Sequence, residues 1–272
     1  FQYTPGDWWD YDEIGTHILF DATINGQKRT LITHSARNGF LYSMERNNGQ
    51  ILFAKPYFEG INWTKGIDQK TGKPVDYDPK LDIQVYANVA TPRPSEPTKR
   101  MCPAASGGNN FWPSAYSRKT NMLYIPSLTA CADFTNKPET SNKAAGWRGG
   151  TSTPTERYET DIIMADPING DIKKRHRVPY PNYAGNLVTA GGVLFTGYTD
   201  GTFVAMDDAT LDILWKINIG TGFNAPPMTF ESGGKQYVGI LSGLSPIARN
   251  KHAHIPELKE QRNQTLLWVF GL

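Results

Sequence analysis

Several features that would mark a class of function are missing from this sequence. No stretch approaches the roughly 18 apolar residues of a membrane-spanning helix, and no basic run is long enough to follow a phosphate backbone. The charge is almost balanced, with 28 Lys and Arg against 26 Asp and Glu, so nucleic acid is not expected as a partner. The first residues, FQYTPGD, lack the charged-then-apolar pattern of a signal peptide and read like a strand entering a turn, which predicts a start inside a larger fold.

Cysteine is also scarce. Cys102 and Cys131 are the only two cysteines, and their spacing fits no zinc motif such as CxxC. On composition alone, a disulfide and two buried thiols are both open. An oxidised pair would indicate an export compartment.

Long helix-forming runs are absent, whereas 26 Gly, 19 Pro and 13 Tyr suit short strands joined by turns. The segment THILFDATINGQKRTLITHSARNGFLYSMERNNGQILFAKPY contains three strand-like runs with turns at NG, RNG and NNG. We therefore predict an all-β protein in which residues 1–272 form one domain. Two long segments, about 56–112 and 132–158, are predicted as loop insertions because they are rich in Pro, Lys, Thr and Asn.

A weak repeat recurs along the chain, in which a strand ends in Ala-x-Asp, a turn follows, and another strand begins with an aromatic or basic residue. The clearest copy is AMDDATLDILWK at 205–216, and weaker copies are ADPINGDIK at 165–173 and YSMERNNGQILF at 42–53. Repeats of a four-stranded unit too small to bury its own faces are typical of a β-propeller. A β-sandwich is the alternative, but it does not predict recurrence of one turn.

The opening stretch FQYTPGDWWDYDEIG places four carboxylates around two adjacent tryptophans. With five further motifs it resembles the pyrroloquinoline quinone (PQQ)-dependent alcohol dehydrogenases of the methanol/ethanol type. Those motifs, in family order, are THSARNGFLYSMERNNGQ, NWTKGIDQKTGKP, CPAASGGNNFWPSAYS, AMDDATLDILWKINIGTG and PPMTFESGGKQYVGILSG. The resemblance implies the C-terminal half of an eight-bladed propeller, in which Trp215 belongs to a motif that locks neighbouring blades. The other half would supply further cofactor and metal contacts.

The resemblance also assigns roles to the acidic stretch. Asp10 matches the catalytic base, which takes the hydroxyl proton as hydride leaves the alcohol carbon, and Asp7 is the runner-up. Asp10 and Asp12 would bind the metal ion, since carboxylates two residues apart in extended backbone face the same side. A second aspartate at this position is similar to the lanthanide-using branch of the family, so a lanthanide is expected, with Ca²⁺ as the alternative. Asp12 could instead cap the turn at Gly15.

Three further residues are expected to contact PQQ by the same resemblance. Arg37 matches the basic residue that bonds the quinone oxygens, and a guanidinium suits this role because it is a planar fork of donors that stays charged. Asn110, with Asn109 as its ambiguous neighbour, matches an asparagine at the cofactor edge. Tyr183 stands where the family commonly has Trp and would stack on that edge.

The remaining expectations concern compartment and partners. The resemblance pairs Cys102 with Cys131 in a structural disulfide and implies the periplasm. It implies oxidation of small primary alcohols to aldehydes, with electrons passed to a soluble cytochrome c, since the chain has no CxxCH haem motif; it also allows a homodimer. The alternative is a catalytically incomplete propeller fragment that acts as a binding or structural module. His252 and His254 could bind a metal, although an exposed polar loop is the simpler interpretation.

Overall fold

A computed structural model describes residues 1–87, 99–136, 150–251 and 255–271. Nearly all of its regular structure is antiparallel β-sheet, so the prediction of an all-β fold is confirmed. Among the helices in these ranges, none is long and apolar enough to cross a membrane. His252 and His254 lie outside the described residues.

The first sheet consists of four consecutive strands in sequential order. They are β1 (Ile18–Ile24), β2 (Gln27–Ser35), β3 (Phe40–Glu45) and β4 (Ile51–Pro56). Between β1 and β2, Asn25 and Gly26 have φ values of 52° and 77°, the two positive values that a tight Asn-Gly hairpin turn requires. The six residues of β3 are all buried, as expected for an internal strand.

The second four-stranded sheet is interrupted by a smaller one. The strands of this region are β5 (Lys99–Met101), β6 (Ala115–Ser117), β7 (Met122–Leu128), β8 (Ala132–Asn136), β9 (Gly150–Pro154), β10 (Thr160–Ala165) and β11 (Ile172–Val178). The main sheet has the order β11-β10-β7-β6, and the small sheet has the order β5-β8-β9. The segment predicted as a loop at 132–158 therefore contains two strands, which lie between the second and third strands of the main sheet.

The last part of the chain forms two more sheets. The third sheet has the order β12-β13-β14-β15, and the fourth has the order β16-β17-β18. Their bounds are β12 (Asn186–Val188), β13 (Val193–Gly197), β14 (Thr202–Asp207), β15 (Ile213–Asn218), β16 (Met228–Ser232), β17 (Lys235–Leu241) and β18 (Leu267–Gly271). Helix α1 (Pro246–Lys251) and a 3-10 turn (Pro256–Leu258) lie between β17 and β18.

The repeat seen in the sequence is one recurring turn. In each copy the first residue's N–H donates to the carbonyl five residues later at 2.8–2.9 Å, and its own carbonyl accepts the N–H four residues later at 2.8 Å. The fifth residue has positive φ in every copy. The three predicted copies start at Glu45, Asp166 and Asp207, each between the third and fourth strands of a sheet; a fourth copy, missed in the sequence, starts at Asp68.

Hydrophobic side chains are buried between successive sheets. Leu41 and Phe53 of the first sheet pack with Leu123 and Ile163 of the second. Similar clusters lie between the second and third sheets and between the third and fourth. Trp215 on β15 contacts Phe270 on β18, with ring centroids 5.4 Å apart, so it does connect neighbouring sheets.

Candidate active site

The acidic stretch at the start of the chain alternates between buried rings and exposed carboxylates. Trp9 and Tyr11 are each 1% exposed, and both rings pack against Trp63. The side chains of Asp10 and Asp12 are 69% and 65% exposed. The rings therefore anchor the stretch, and the two carboxylates are presented at the surface.

Asp7 has a different role from Asp10. One oxygen of its carboxylate accepts the N–H of Trp9 at 2.8 Å and the other accepts the N–H of Tyr11 at 2.5 Å, so both oxygens are hydrogen-bonded to the backbone of the turn. Asp10 lies within this turn with a φ of 68°, a left-handed conformation that is uncommon for residues other than glycine. Of the two aspartates left open by the sequence, we favour Asp10 as the candidate base, because Asp7 is already used to hold the turn.

Arg37 lies beside the two exposed carboxylates. Its Nη2 donates to Oδ2 of Asp10 at 2.9 Å, and its Nη1 donates to the carbonyl oxygen of Asp12 at 3.3 Å. The Arg37 side chain is only 6% exposed. The structure thus brings together Asp10, Asp12 and Arg37, three of the residues predicted for the site.

A loop after β5 closes over Arg37. The carbonyl of Ala105 accepts from Nη2 of Arg37 at 2.6 Å, and the N–H of Gly108 donates to the Arg37 carbonyl at 3.0 Å. A Cβ on Gly107 would lie 2.8 Å from the Cβ of Arg37, and Gly107 has a φ of 76°, so this close approach depends on glycine.

Asn110 follows on the same loop and lies next to the acidic stretch. Its side-chain amide donates to the carbonyl of Ser106 at 2.9 Å. Its carbonyl oxygen would be 2.8 Å from a Cβ placed on Gly15, so the two backbones are in close contact. Asn109 is directed elsewhere: it donates to the hydroxyls of Ser35 and Ser114 in the interior. The structure therefore places Asn110, rather than Asn109, alongside residues 10–15.

Four residues near Arg37 received no role in the sequence analysis. The Glu13 carboxylate accepts the backbone N–H of Arg37 and contacts the ring of His34. The His34 ring is stacked on the ring of His17, and His17 is hydrogen-bonded to the Tyr3 hydroxyl. These residues are spread over positions 3 to 34; His34 lies on β2, and the other three precede β1. No local spacing pattern could have identified them; the only signal was an unexplained glutamate in the acidic stretch.

The electrostatics of the stretch differ from one carboxylate to the next. Loss of hydration raises the pKa of Asp7 to about 6, against the opposing effect of its two backbone hydrogen bonds. Partial loss of hydration also raises the pKa of Asp10; the Arg37 guanidinium opposes that shift, and Asp12 adds to it. Because the Asp10 side chain is 69% exposed, solvent weakens each of these effects.

The last predicted cofactor residue, Tyr183, is packed in a different cluster. Its ring lies 5.1 Å from that of Trp112, and it is buried together with Leu128, Tyr158 and Leu244. The structure does not group Tyr183 with Asp10, Asp12 and Arg37, which belong to the loops around the first sheet.

Cys102 and Cys131 form a disulfide, as the resemblance predicted. The bond connects the end of β5 to the start of β8 and so joins the loop over Arg37 to the small inserted sheet. The alternative of two free thiols is excluded.

The side chains at this site fit part of the binding shell of a hard cation and of an oxygen-rich cofactor. The carboxylates of Asp10 and Asp12 both contact the Arg37 guanidinium, and carboxylate oxygens are the ligands that such cations prefer. Within the described ranges, no three His, Cys, Asp or Glu side chains gather to hold a metal ion. Nε of Arg37 is buried and has no partner in the described part of the chain, so it is a free donor for a ligand oxygen.

Comparisons with known proteins agree with this geometry. Residues 160–238 match the family model described as the β-propeller domain of glucose, ethanol and alcohol dehydrogenases that use PQQ. The quinoprotein alcohol dehydrogenase PedE of Pseudomonas putida is 33% identical over the whole of this chain. The chain resembles the quinoprotein alcohol dehydrogenases along its full length. The predicted resemblance is therefore confirmed.

Two methanol dehydrogenases show the same relationship. The lanthanide-dependent methanol dehydrogenase of Methylacidiphilum fumariolicum is 33% identical over 90% of this chain. The solved structure of a europium-containing methanol dehydrogenase superposes with a TM-score of 0.85 at 29% identity over the whole chain, which confirms the propeller fold. The chain spans 43% of PedE, 39% of the Methylacidiphilum enzyme and 50% of the europium-containing chain.

Proposed function

We propose that this chain forms part of a PQQ-dependent dehydrogenase that oxidises small primary alcohols, of the methanol and ethanol class, to aldehydes. The observation that carries the proposal is the pairing of an exposed carboxylate, Asp10, with a buried guanidinium, Arg37, that keeps one N–H unused. It is supported by resemblance to alcohol and methanol dehydrogenases over 90% or more of the chain.

The residues present suit the proton chemistry of alcohol oxidation. Bound PQQ would supply the two-electron acceptor, with a metal ion as Lewis acid. The Asp10 carboxylate would accept the hydroxyl proton, because it is exposed to an incoming alcohol and fixed in direction by Arg37. The free Nε–H of Arg37 would donate to a cofactor oxygen, and Asn110 would lie at the cofactor edge.

The same proposal extends to the metal. Asp10 and Asp12 would hold a lanthanide ion, with Ca²⁺ as the alternative, and other ligands would complete the shell. A lanthanide suits a site with adjacent carboxylates because their charge balances that of a highly charged, oxygen-seeking cation. The name of the Methylacidiphilum relative supports a lanthanide rather than calcium.

Compartment and partners belong to the proposal as well. We propose a periplasmic location, which the Cys102–Cys131 disulfide supports, since disulfides persist in oxidising compartments. Electrons would pass to a soluble cytochrome c, and the enzyme would act as a homodimer or a monomer.

Reconstitution tests the activity. The purified chain would be mixed with PQQ and La³⁺ or Ca²⁺, and dye reduction with methanol or ethanol would be followed. The assay would be repeated with the portion of PedE that this chain does not span. We expect dye reduction in at least the second mixture, and a smaller rate with the Asp10→Asn variant. No dye reduction in either mixture would contradict the proposal.

The second candidate function is a propeller module that binds a partner without catalysis. It is favoured by one observation: in the described residues, two carboxylates and no third metal-binding side chain gather at the site. It predicts that PQQ absorption is unchanged by the chain, alone or in the mixture with the rest of PedE.

A further inference from the structure

Glu13 is directed inward, unlike Asp10 and Asp12 of the same acidic stretch. Its side chain is 10% exposed, in contrast to those of Asp10 and Asp12. One oxygen lies 2.9 Å and the other 3.1 Å from the backbone nitrogen of Arg37, so both accept from the same N–H. Since Gly108 bonds the Arg37 carbonyl, the backbone of Arg37 is held on both sides.

His34 is the second hydrogen-bonding partner of the Glu13 carboxylate. Its ring, 1% exposed, places Nε2 2.6 Å from Oε2 of Glu13 and Nδ1 3.2 Å from the carbonyl of Thr16. Both ring nitrogens therefore face oxygen acceptors, and the shorter of the two contacts is the one with the Glu13 carboxylate. Hydrogen bonds to a carboxylate are stronger than those between neutral groups, so this contact helps to fix the Glu13 carboxylate beside Arg37.

His17 supports the His34 ring from its face. The two rings are parallel, with 2° between their planes and 3.9 Å between their centroids. Nδ1 of His17 donates to the carbonyl of Gly15, so Nε2 is left to accept the Tyr3 hydroxyl at 2.9 Å. A Cβ on Gly15 would lie 3.1 Å from Cε1 of His34, so glycine lets this ring approach the turn.

We propose that Glu13 is the positioning residue for Arg37: its buried carboxylate, held by His34, fixes the Arg37 backbone and thereby directs the guanidinium at Asp10. The catalytic consequence of this inference rests on the proposed function, whereas the contacts between Glu13 and Arg37 do not depend on it. Glu13 touches neither Asp10 nor the free Nε of Arg37, so it acts through Arg37 alone.

The position of Arg37 explains why its backbone needs this support. Its guanidinium reaches Asp10 and the Ala105 carbonyl from a tight turn between β2 and β3, where a small rotation of the backbone would move the terminal nitrogens out of hydrogen-bonding range. Fixing the backbone N–H is therefore an effective way to set the side-chain direction.

Two readouts on the full chain test the positioning role without requiring activity. The first is amide hydrogen exchange at Arg37, measured by NMR, and the second is modification of Arg37 by phenylglyoxal, measured by peptide mass spectrometry. In Glu13→Ala we expect both to be about tenfold faster than in the wild type, because one charge-assisted hydrogen bond is lost. Glu13→Gln, which keeps the size and one acceptor oxygen, should be intermediate.

The matched control is Glu231→Gln, the same change at an exposed glutamate on β16, which should leave both readouts unchanged. Urea unfolding shows whether each variant is folded. If Glu13→Ala does not fold, the two Arg37 rates are compared between Glu13→Gln and the wild type. A folded Gln variant in which both Arg37 rates stay within about twofold of the wild type would overturn the inference.

A PQQ absorption titration separates this inference from the proposed function. If Arg37 responds to the Glu13 substitutions but the wild-type mixture binds no PQQ, the proposed function fails and the positioning role stands. If PQQ binds and Arg37 does not respond, the positioning role fails and the proposed function stands. If both the positioning role and the proposed function hold, PQQ should bind about tenfold more weakly to Glu13→Ala than to the wild type, and Glu13→Gln should again be intermediate.

Discussion

The guanidinium of Arg37 is almost completely buried, yet it donates at 2.9 Å to the carboxylate of Asp10, whose side chain is 69% exposed. The pair therefore crosses the boundary between the protein interior and the site. The buried partner is held by the turn and by the loop after β5, and the exposed partner is directed by it. Rigid support beneath an accessible carboxylate is the arrangement that a catalytic base requires.

Replacing Asp10 by Asn should lower turnover strongly with little change in stability. Asn keeps the size of the side chain but cannot take a proton, and a lost general base typically reduces kcat by about 10²- to 10⁴-fold. The measurement is dye reduction in the reconstituted mixture with PedE's remaining portion. Asp21→Asn, on the exposed face of β1, is the matched control and should retain the wild-type rate. Equal rates for the two variants would exclude Asp10 as the base.

Replacing Asp12 by Ala should weaken lanthanide binding more than calcium binding. The substitution removes one of two adjacent carboxylates, and the more highly charged ion depends more on ligand charge. We expect the Kd for Tb³⁺ to rise about tenfold or more. Tb³⁺ luminescence excited through the neighbouring tryptophans, with Ca²⁺ as competitor, measures this. An unchanged Tb³⁺ affinity would remove Asp12 from the metal site.

Replacing Asp7 by Ala should destabilise the fold rather than act on chemistry. The substitution leaves the N–H groups of Trp9 and Tyr11 without their acceptor, and loss of such a cap costs about 1–2 kcal/mol. Urea unfolding followed by tryptophan fluorescence gives the value. Asp21→Asn again serves as the control; an Asp7→Ala variant as stable as this control would contradict the role of Asp7 as a cap.

Breaking the disulfide should also destabilise the chain. Cys102 and Cys131 are 29 residues apart, and closing a loop of that size contributes roughly 3–4 kcal/mol by chain entropy. The double variant Cys102→Ala/Cys131→Ala should unfold at a lower urea concentration than the oxidised wild type. Dithiothreitol should shift the wild type in the same direction and leave the variant unaffected, and a dithiothreitol effect on the variant would show that the shift has another cause.

Stability should depend on pH through His17. Loss of hydration, with the neighbouring His34 ring as a second cause, lowers the pKa of His17 to about 4 from its ordinary value of 6.5. Between these values the unfolded chain binds the proton more readily than the folded chain does. Stability contributed by neutral His17 is therefore complete above about pH 6.5 and is lost as the pH falls towards 4.

Asp7 acts in the opposite direction over part of this range. Because its pKa is raised to about 6, the folded chain binds that proton more readily than the unfolded chain, so its contribution to stability increases as the pH falls from 6 towards 4. The His17 effect is isolated by comparing wild type with His17→Gln at pH 7.5 and 5.0. The wild type should lose more stability than the variant between the two values, and equal losses would contradict the assignment.

Much of the fold could be read from local sequence. The Asn25-Gly26 turn requires two positive φ values, which few dipeptides supply, so the hairpin it closes was predictable. The repeat around Asp207 likewise has local causes, since its carboxylate accepts the N–H groups of the next turn residues. The strands β8 and β9 were not predicted, because they pair with each other within a segment whose composition is typical of loops.

The site was only partly predictable, for a physical reason. Asp10, Asp12 and Arg37 carry recognisable motifs, and the structure brings them together. The support of Arg37 by Glu13 and His34 depends on contacts between residues that are 21 or more positions apart, which no local pattern encodes. Tyr183 stands where the family commonly has Trp, but packing against Trp112 decides where its ring lies.

The turn starting at Asp68 shows that this local structure does not mark a blade. It has the same two backbone hydrogen bonds as the turns at Glu45, Asp166 and Asp207, but it closes only an isolated bridge between Ile67 and Pro74. Among the described residues, a blade count based on this motif alone would therefore include a turn that belongs to no four-stranded sheet and would miss the fourth sheet, β16-β17-β18. In related sequences the motif should be used to locate reversals of chain direction, and blade number should be taken from strand pairing.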